Sequence, residues 1–146
     1  MKEDCCGARL PAIGDYGPNP LIVNIQCLAK QNPFFRTTLW TGTHMQLTLM
    51  SIPPQGEIGL EMHPDVDQFI RVEAGCGLVM MGESPETMYC RQAVEANFGV
   101  VIPAGTWHNL VNTGRAPLKL VSAYAPPQHP FGTVHKTKEE ADAAED

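Results

Sequence analysis

Between Leu21 and Tyr124 the chain is a succession of short apolar, β-branched and aromatic runs cut at close intervals by glycine and proline, and this texture restricts the possible folds most. The runs are Leu21–Ile25, Phe34–Thr41, Met45–Ile52, Ile58–His63, Gln68–Glu73, Gly77–Met81, Met88–Arg91, Gly99–Ile102, Trp107–Asn112 and Leu118–Tyr124. Pro53-Pro54, Gly75-Cys-Gly77, Gly82-Glu-Ser-Pro85, Pro103-Ala-Gly105 and Asn112-Thr-Gly114 separate several of them, each carrying residues that favour tight turns. Many short strands with few helices predict an all-β sandwich or small barrel. The 146 residues suffice for a single core.

Residues 1–20, with six glycines and prolines, predict an irregular lead-in, 21–125 the barrel, and 126–146 a proline-rich segment and acidic tail. Asn24 can alternatively cap a short helix over the following residues. Thr137 and Glu140 have capping-box spacing before an alanine-rich end, which predicts a short C-terminal helix or tail. The net charge of -6 is mostly tail: residues 137–146 hold five acids and one base, leaving eleven acids and nine bases elsewhere. A phosphate-backbone binder needs a clustered basic face, so nucleic acid is not an expected partner. No apolar stretch approaches the roughly 20 residues of a membrane helix and the amino terminus lacks secretory-signal character, which predicts a cytoplasmic protein without a membrane partner. Cys5, Cys6, Cys27, Cys76 and Cys90 form an odd set without Cys-x-x-Cys spacing and are read as free thiols.

Potential ligands concentrate in Glu61-Met-His63-Pro-Asp-Val-Asp-Gln68 and in His108. Side chains alternate faces along a strand, so Glu61 and His63 share one wall while Leu60 and Met62 take the other. Asp65 and Asp67 fall in the intervening turn, where backbone capping explains them. Gln68 then opens the returning strand facing inward with Ile70 and Val72, and Pro103-Ala-Gly105 aims His108 into the same interior. Two imidazoles, one carboxylate and one amide oxygen are a donor set for a divalent ion such as zinc, manganese, iron or nickel. An inward carboxylate is costly unless paired or metal-bound, which makes Glu61 the most informative member. A lone histidine is usually a hydrogen-bonded core residue, and His44, which fits no pattern, is read that way.

Gly59 through Gly75, followed by Gly99 and by Pro103, Gly105, His108 and Asn112, resembles the paired motifs of the cupin superfamily. The second motif is matched without a gap. The first has Glu61 where histidine is commoner, then His63, with Gln68 in the usual glutamate position. The resemblance spans roughly residues 40 to 125 and implies a double-stranded β-helix, or jelly-roll cupin barrel, with a central metal and commonly a homodimer. Within cupins the stretch is similar to the cupin domain of mannose-6-phosphate isomerases, with the glutamate and glutamine ligands exchanged. Val66 and Trp107 stand where that family carries basic residues.

The resulting expectation is a metal-binding cupin acting on a small-molecule substrate, a small polar metabolite, with isomerase-like chemistry on a sugar or sugar phosphate. The alternatives are a non-haem iron dioxygenase and a non-catalytic binding cupin. Tyr124 and His129 are candidate acid and base if the proline-rich segment folds over the barrel mouth. Trp40, Phe69, Val79, Met80 and Met81 make some strands apolar on both faces, predicting a second subunit on the outer face or cover by the amino-terminal segment.

Overall fold

The computed structural model describes residues 10–144. In chain order the elements are α1 (Ile25–Gln31), β1 (Arg36–Thr41), β2 (Gln46–Ile52), β3 (Asp67–Ala74), β4 (Cys76–Gly82), β5 (Cys90–Glu95), β6 (Gly99–Ile102), β7 (Trp107–Asn112), β8 (Leu118–Ala125), β9 (Val134–His135) and α2 (Lys138–Ala144). Nine strands form a six-stranded sheet, ordered β6-β3-β8-β2-β1-β9, and a three-stranded sheet, ordered β5-β4-β7. The inward residues of both sheets make one core: Met50, Ile52, Ile70, Val72, Leu118 and Leu120 from the larger, Val79, Val94 and Leu110 from the smaller. Each such side chain contributes about 1.5–3 kcal/mol by leaving water. The result is mostly β in two sheets, as the turn spacing predicts, with the jelly-roll form that the resemblance implies and the short C-terminal helix expected from the Thr137 and Glu140 spacing. No helix among the described residues is long and apolar enough to cross a membrane.

Both helical alternatives form. Asn24 caps α1, its side chain accepting from Cys27 N at 3.1 Å. Thr137 Oγ1 accepts from Glu140 N at 3.2 Å to start α2, and the Glu140 carboxylate reaches back to Lys136 N at 2.9 Å. Leu21–Ile25 is therefore not a strand: it is an extended approach to α1. The outer face of the larger sheet explains why. Leu28 and Ala29 of α1 pack with Leu39, Leu49 and Val121, joined by Leu10, Tyr16, Leu21 and Val23. Trp40 Nε1 donates to Asn19 O at 2.6 Å, so the amino-terminal segment is the cover of this face. Phe69 and Val101, partners across β3 and β6, stay 41% and 68% exposed, with Phe98 beside them in the chain's exposed set.

Two further expectations are corrected. Ile58–His63 makes only isolated bridges, Glu57 to Val111 and Glu61 to His108, because Gly59 at φ +106° breaks the strand. Its N–H is taken instead by the Asn109 side chain at 2.9 Å. His44 is exposed in the β1–β2 connection and is no core residue, since the turn leaves it without an apolar face to join. Cys76 and Cys90 are free, whereas Cys5 and Cys6 lie outside the described residues.

Candidate metal centre

The Glu61–His108 bridge is a fully hydrogen-bonded antiparallel pair, Glu61 N to His108 O at 3.0 Å and His108 N to Glu61 O at 2.9 Å. Directly opposed residues project to the same side, and His63, two residues on from Glu61, follows them. Gly105 N donates to His63 O at 2.8 Å and Ala104 N to Asp67 Oδ1 at 2.9 Å, which ties the two ligand-bearing turns together. Asp67 thus caps backbone, as its position in the turn predicts. Leu60 points to solvent.

Glu61 Oε2 lies 3.5 Å from His63 Nε2 and 3.3 Å from His108 Nε2. One donor atom from each of the three residues falls within 4.8 Å of the others. His108 Nδ1 is 3.0 Å from Thr106 O, a carbonyl that can only accept, so Nδ1 carries the proton and the neutral ring turns a bare Nε2 toward the carboxylate. Two acceptors at 3.3 Å repel unless a cation stands between them. A proton or a divalent ion meets that need, and the donor set of two imidazoles and a carboxylate suits a transition metal. Burial pushes the Glu61 carboxyl up, but with a proton as the intervening cation the hydrogen bonds and charge of His108 and His63 outweigh it and hold it at about 2. It is a carboxylate at neutral pH.

Gln68 is buried at the start of β3, opposite Tyr124 in register, and its Nε2 donates to Ser122 Oγ at 3.4 Å. Its Oε1 is buried without a partner among the described residues. Unpartnered buried polar atoms are rare in folded proteins, yet Arg36 Nε, His63 Nε2, Gln68 Oε1, His108 Nε2 and His129 Nε2 are all of this kind. They belong to one interior. The rings of His108, His63, Tyr124, His129 and His135 follow one another with centroid separations of 5.6, 6.1, 5.2 and 6.5 Å. The three residues Glu61, His63 and His108 therefore fit an ion.

The segment after β8 covers this interior. Gln46 is the clamp: its Oε1 accepts from Gln128 N and His129 N at 3.1 and 2.9 Å, and its Nε2 donates to His129 O at 2.8 Å. Asp15 accepts from Gly132 N at 3.0 Å, and β9 pairs with β1. A cavity of about 580 Å³ remains beneath, walled by Glu61 and His63 on one side and His129, Thr133 and His135 on the other. Tyr124 is buried, and burial raises its phenol pKa against the opposing charge of Arg36, so it stays protonated. Burial, aided by the Arg36 charge, lowers His129 to about 3 and keeps it neutral.

Arg36 escaped the sequence reading. It is buried on β1, opposite Met50 of the core, and its Nη1 meets His135 Nδ1 at 3.1 Å. Only the alternation of β1 points to it, because Arg36 shares a face with Thr38 while Thr37 turns outward to Asn32. Val66 and Trp107, where the resemblance leads one to look for basic residues, hold none; the buried Arg36 lies on β1.

Residues 48–124 match the family model described as Cupin domain. The chain is 58% identical over 132 residues to the uncharacterized protein YrkC of Bacillus subtilis, covering 90% of this chain and 71% of that one. It is 38% identical over 114 residues to the uncharacterized protein L612 of Acanthamoeba polyphaga mimivirus, covering 77% and 69%. The crystal structure of BH2720 from Bacillus halodurans superposes with a TM-score of 0.89 at 55% identity, covering 90% of this chain and 99% of that one.

Proposed function

The chain belongs to the cupin-domain family, and on that premise we propose that it is a metal-dependent enzyme acting on a small polar metabolite, with Glu61, His63, His108 and Gln68 as ligands. The observation that carries this is the convergence of a carboxylate oxygen and two imidazole nitrogens within 4.8 Å. A bound ion supplies Lewis acidity, polarising a substrate carbonyl or steadying negative charge on oxygen.

Isomerase-like chemistry on a sugar or sugar phosphate needs a proton moved between adjacent carbons. At neutral pH His129 is unprotonated and Tyr124 protonated, the forms required of base and acid. A conjugate acid at about 3 makes His129 a weak base, and this is where the isomerase assignment is most exposed to test. The segment holding His129 lines the cavity, and Arg36 supplies the fixed positive charge that a charged sugar derivative needs. A second activity, iron-dependent dioxygenation, is supported by one specific feature: two imidazoles and one carboxylate on a shared face match the facial triad of non-haem iron oxygenases.

Incubating the metal-loaded protein with candidate sugars in deuterated water distinguishes the two. Isotope entering a carbon-bound position, with zinc or manganese in the protein, supports the isomerase. Oxygen consumption by iron-loaded protein supports the dioxygenase, and saturable binding without either leaves a non-catalytic cupin. We assign the chain to the cytoplasm, where the free thiols of Cys76 and Cys90 persist. The exposed Phe69 and Val101 pair supports a homodimer through the β3–β6 edge, which sedimentation of a Val101→Lys variant tests by loss of the dimer.

A further inference from the structure

Arg36 is a buried cation that no anion among the described residues answers. It is 3% exposed and faces the barrel interior, and its hydrogen bond among the described residues is the one with His135. Among the described residues its Nε–H has no partner, and none of their carboxylates lies within ion-pair distance of it. Evolution rarely leaves a desolvated guanidinium in this condition without a ligand to complete it.

The charges of the interior point the same way. Glu61 and Arg36 carry one charge each and cancel. Lys138 and Asp142, which border the small cavity of about 160 Å³ beside Arg36, pair with each other at 2.8 Å and contribute nothing net. Resting on the metal assignment above, a divalent ion at the triad leaves the interior with two uncompensated positive charges. His129, held neutral, adds none. Glu61 borders both this small cavity and the larger one.

We propose that Arg36 is the anion-docking residue of the site, and that it takes the carboxylate of a small hydroxy acid or sugar acid whose other oxygens face Glu61, His63 and His108. A guanidinium edge offers parallel N–H donors at the spacing of two carboxylate oxygens, the match that lysine cannot reproduce. His135 holds the opposite side of the fork and so fixes which edge is presented. A phosphate group gathers more donors than one edge provides, and the neighbouring Lys138 is already engaged by Asp142.

The test uses D-gluconate, its neutral counterpart D-sorbitol, and D-glucose 6-phosphate, titrated calorimetrically into desalted metal-loaded protein and into Arg36→Gln and Arg36→Lys variants. Metal content of each is measured in parallel. In the wild type, gluconate is expected to bind roughly ten- to a hundredfold tighter than sorbitol, the range for a charge-assisted hydrogen bond. Arg36→Gln should erase that preference with metal content unchanged, and Arg36→Lys, which keeps the charge and serves as the folded control, should retain only a minor part of it. Three results overturn the assignment: no gluconate binding at millimolar concentration, an undiminished gluconate preference in Arg36→Gln, or preferential binding of glucose 6-phosphate. Absence of metal in the wild type instead overturns the metal assignment alone, because an Arg36-dependent preference for gluconate in metal-free protein would still uphold the docking role.

Discussion

Replacing Glu61 by glutamine in metal-free protein should remove a pH dependence of folding whose size the site sets. The carboxyl has a pKa of about 2 in the folded chain against 4.5 in an unconstrained one. Because the folded value is the lower, the group stabilises the fold fully above pH 4.5, and that stability is lost as pH falls toward 2. The separation of about 2.5 pH units, at about 1.4 kcal/mol each, corresponds to roughly 3 kcal/mol. About 2 kcal/mol of this disappears by pH 3. The hydrogen bonds responsible come from His108 and His63, and His108 has its Nδ1 proton committed to Thr106, so it donates from Nε2 only as an imidazolium. Urea unfolding of wild type and Glu61→Gln between about pH 5.5 and pH 3 reads the effect as the stability difference between them. It should shrink with falling pH by about 1.4 kcal/mol per unit below about pH 4.5. A difference that stays flat would refute the pairing of Glu61 with the two imidazoles.

Three other substitutions separate ligand from scaffold. Gln68→Met removes a buried oxygen without a partner, so metal affinity should fall roughly tenfold in a competition titration while metal-free stability does not fall; unchanged affinity would exclude Gln68 as a ligand. Asn112 donates to Ile52 O and Ala116 O, each at 2.9 Å, and accepts from Gly114 N at 2.8 Å. Asn112→Ala should cost roughly 3 kcal/mol in chemical unfolding, with metal content retained. Gly75 has φ +97°, and a Cβ there would lie 3.0 Å from Leu118 Cα and from Pro117 O. Gly75→Ala should therefore cost about 1–3 kcal/mol, more than Gly105→Ala, whose Cβ meets open space although φ is +84°.

Where local chemistry decided the structure, the chain could be read directly. Turn residues mark the ends of β2, β3 and β8, Asn24 caps α1, and alternation puts Glu61 and His63 on one wall. His108 joins them because its motif turn reverses the chain at the right spacing. Tertiary context decided the rest. Leu21–Ile25 has a strand's composition, but its apolar side chains are needed against Leu39, Leu49 and Val121 in an extended approach to α1. Gly59 looks like ordinary punctuation until Asn109, fifty residues away, takes its N–H. Arg36 and Gln46 are missed for the same reason. Each sits in an unremarkable strand, and its role arises from His135 and His129 in a segment that returns to the barrel some 80 to 100 residues later.

Elemental analysis of protein purified without added metal, alongside the His108→Ala and Glu61→Ala variants, tests the central claim most directly. A divalent ion should be present at one per wild-type chain and absent from both variants, and its removal by chelator should lower the wild-type melting temperature. With free ion at a hundredfold above the dissociation constant the stabilisation is about 2.7 kcal/mol, or roughly 5–10 °C for a domain of this size. An ion-free wild type that gains no stability from added zinc, manganese, iron or nickel, together with a Glu61→Ala variant more stable than wild type, would contradict the account.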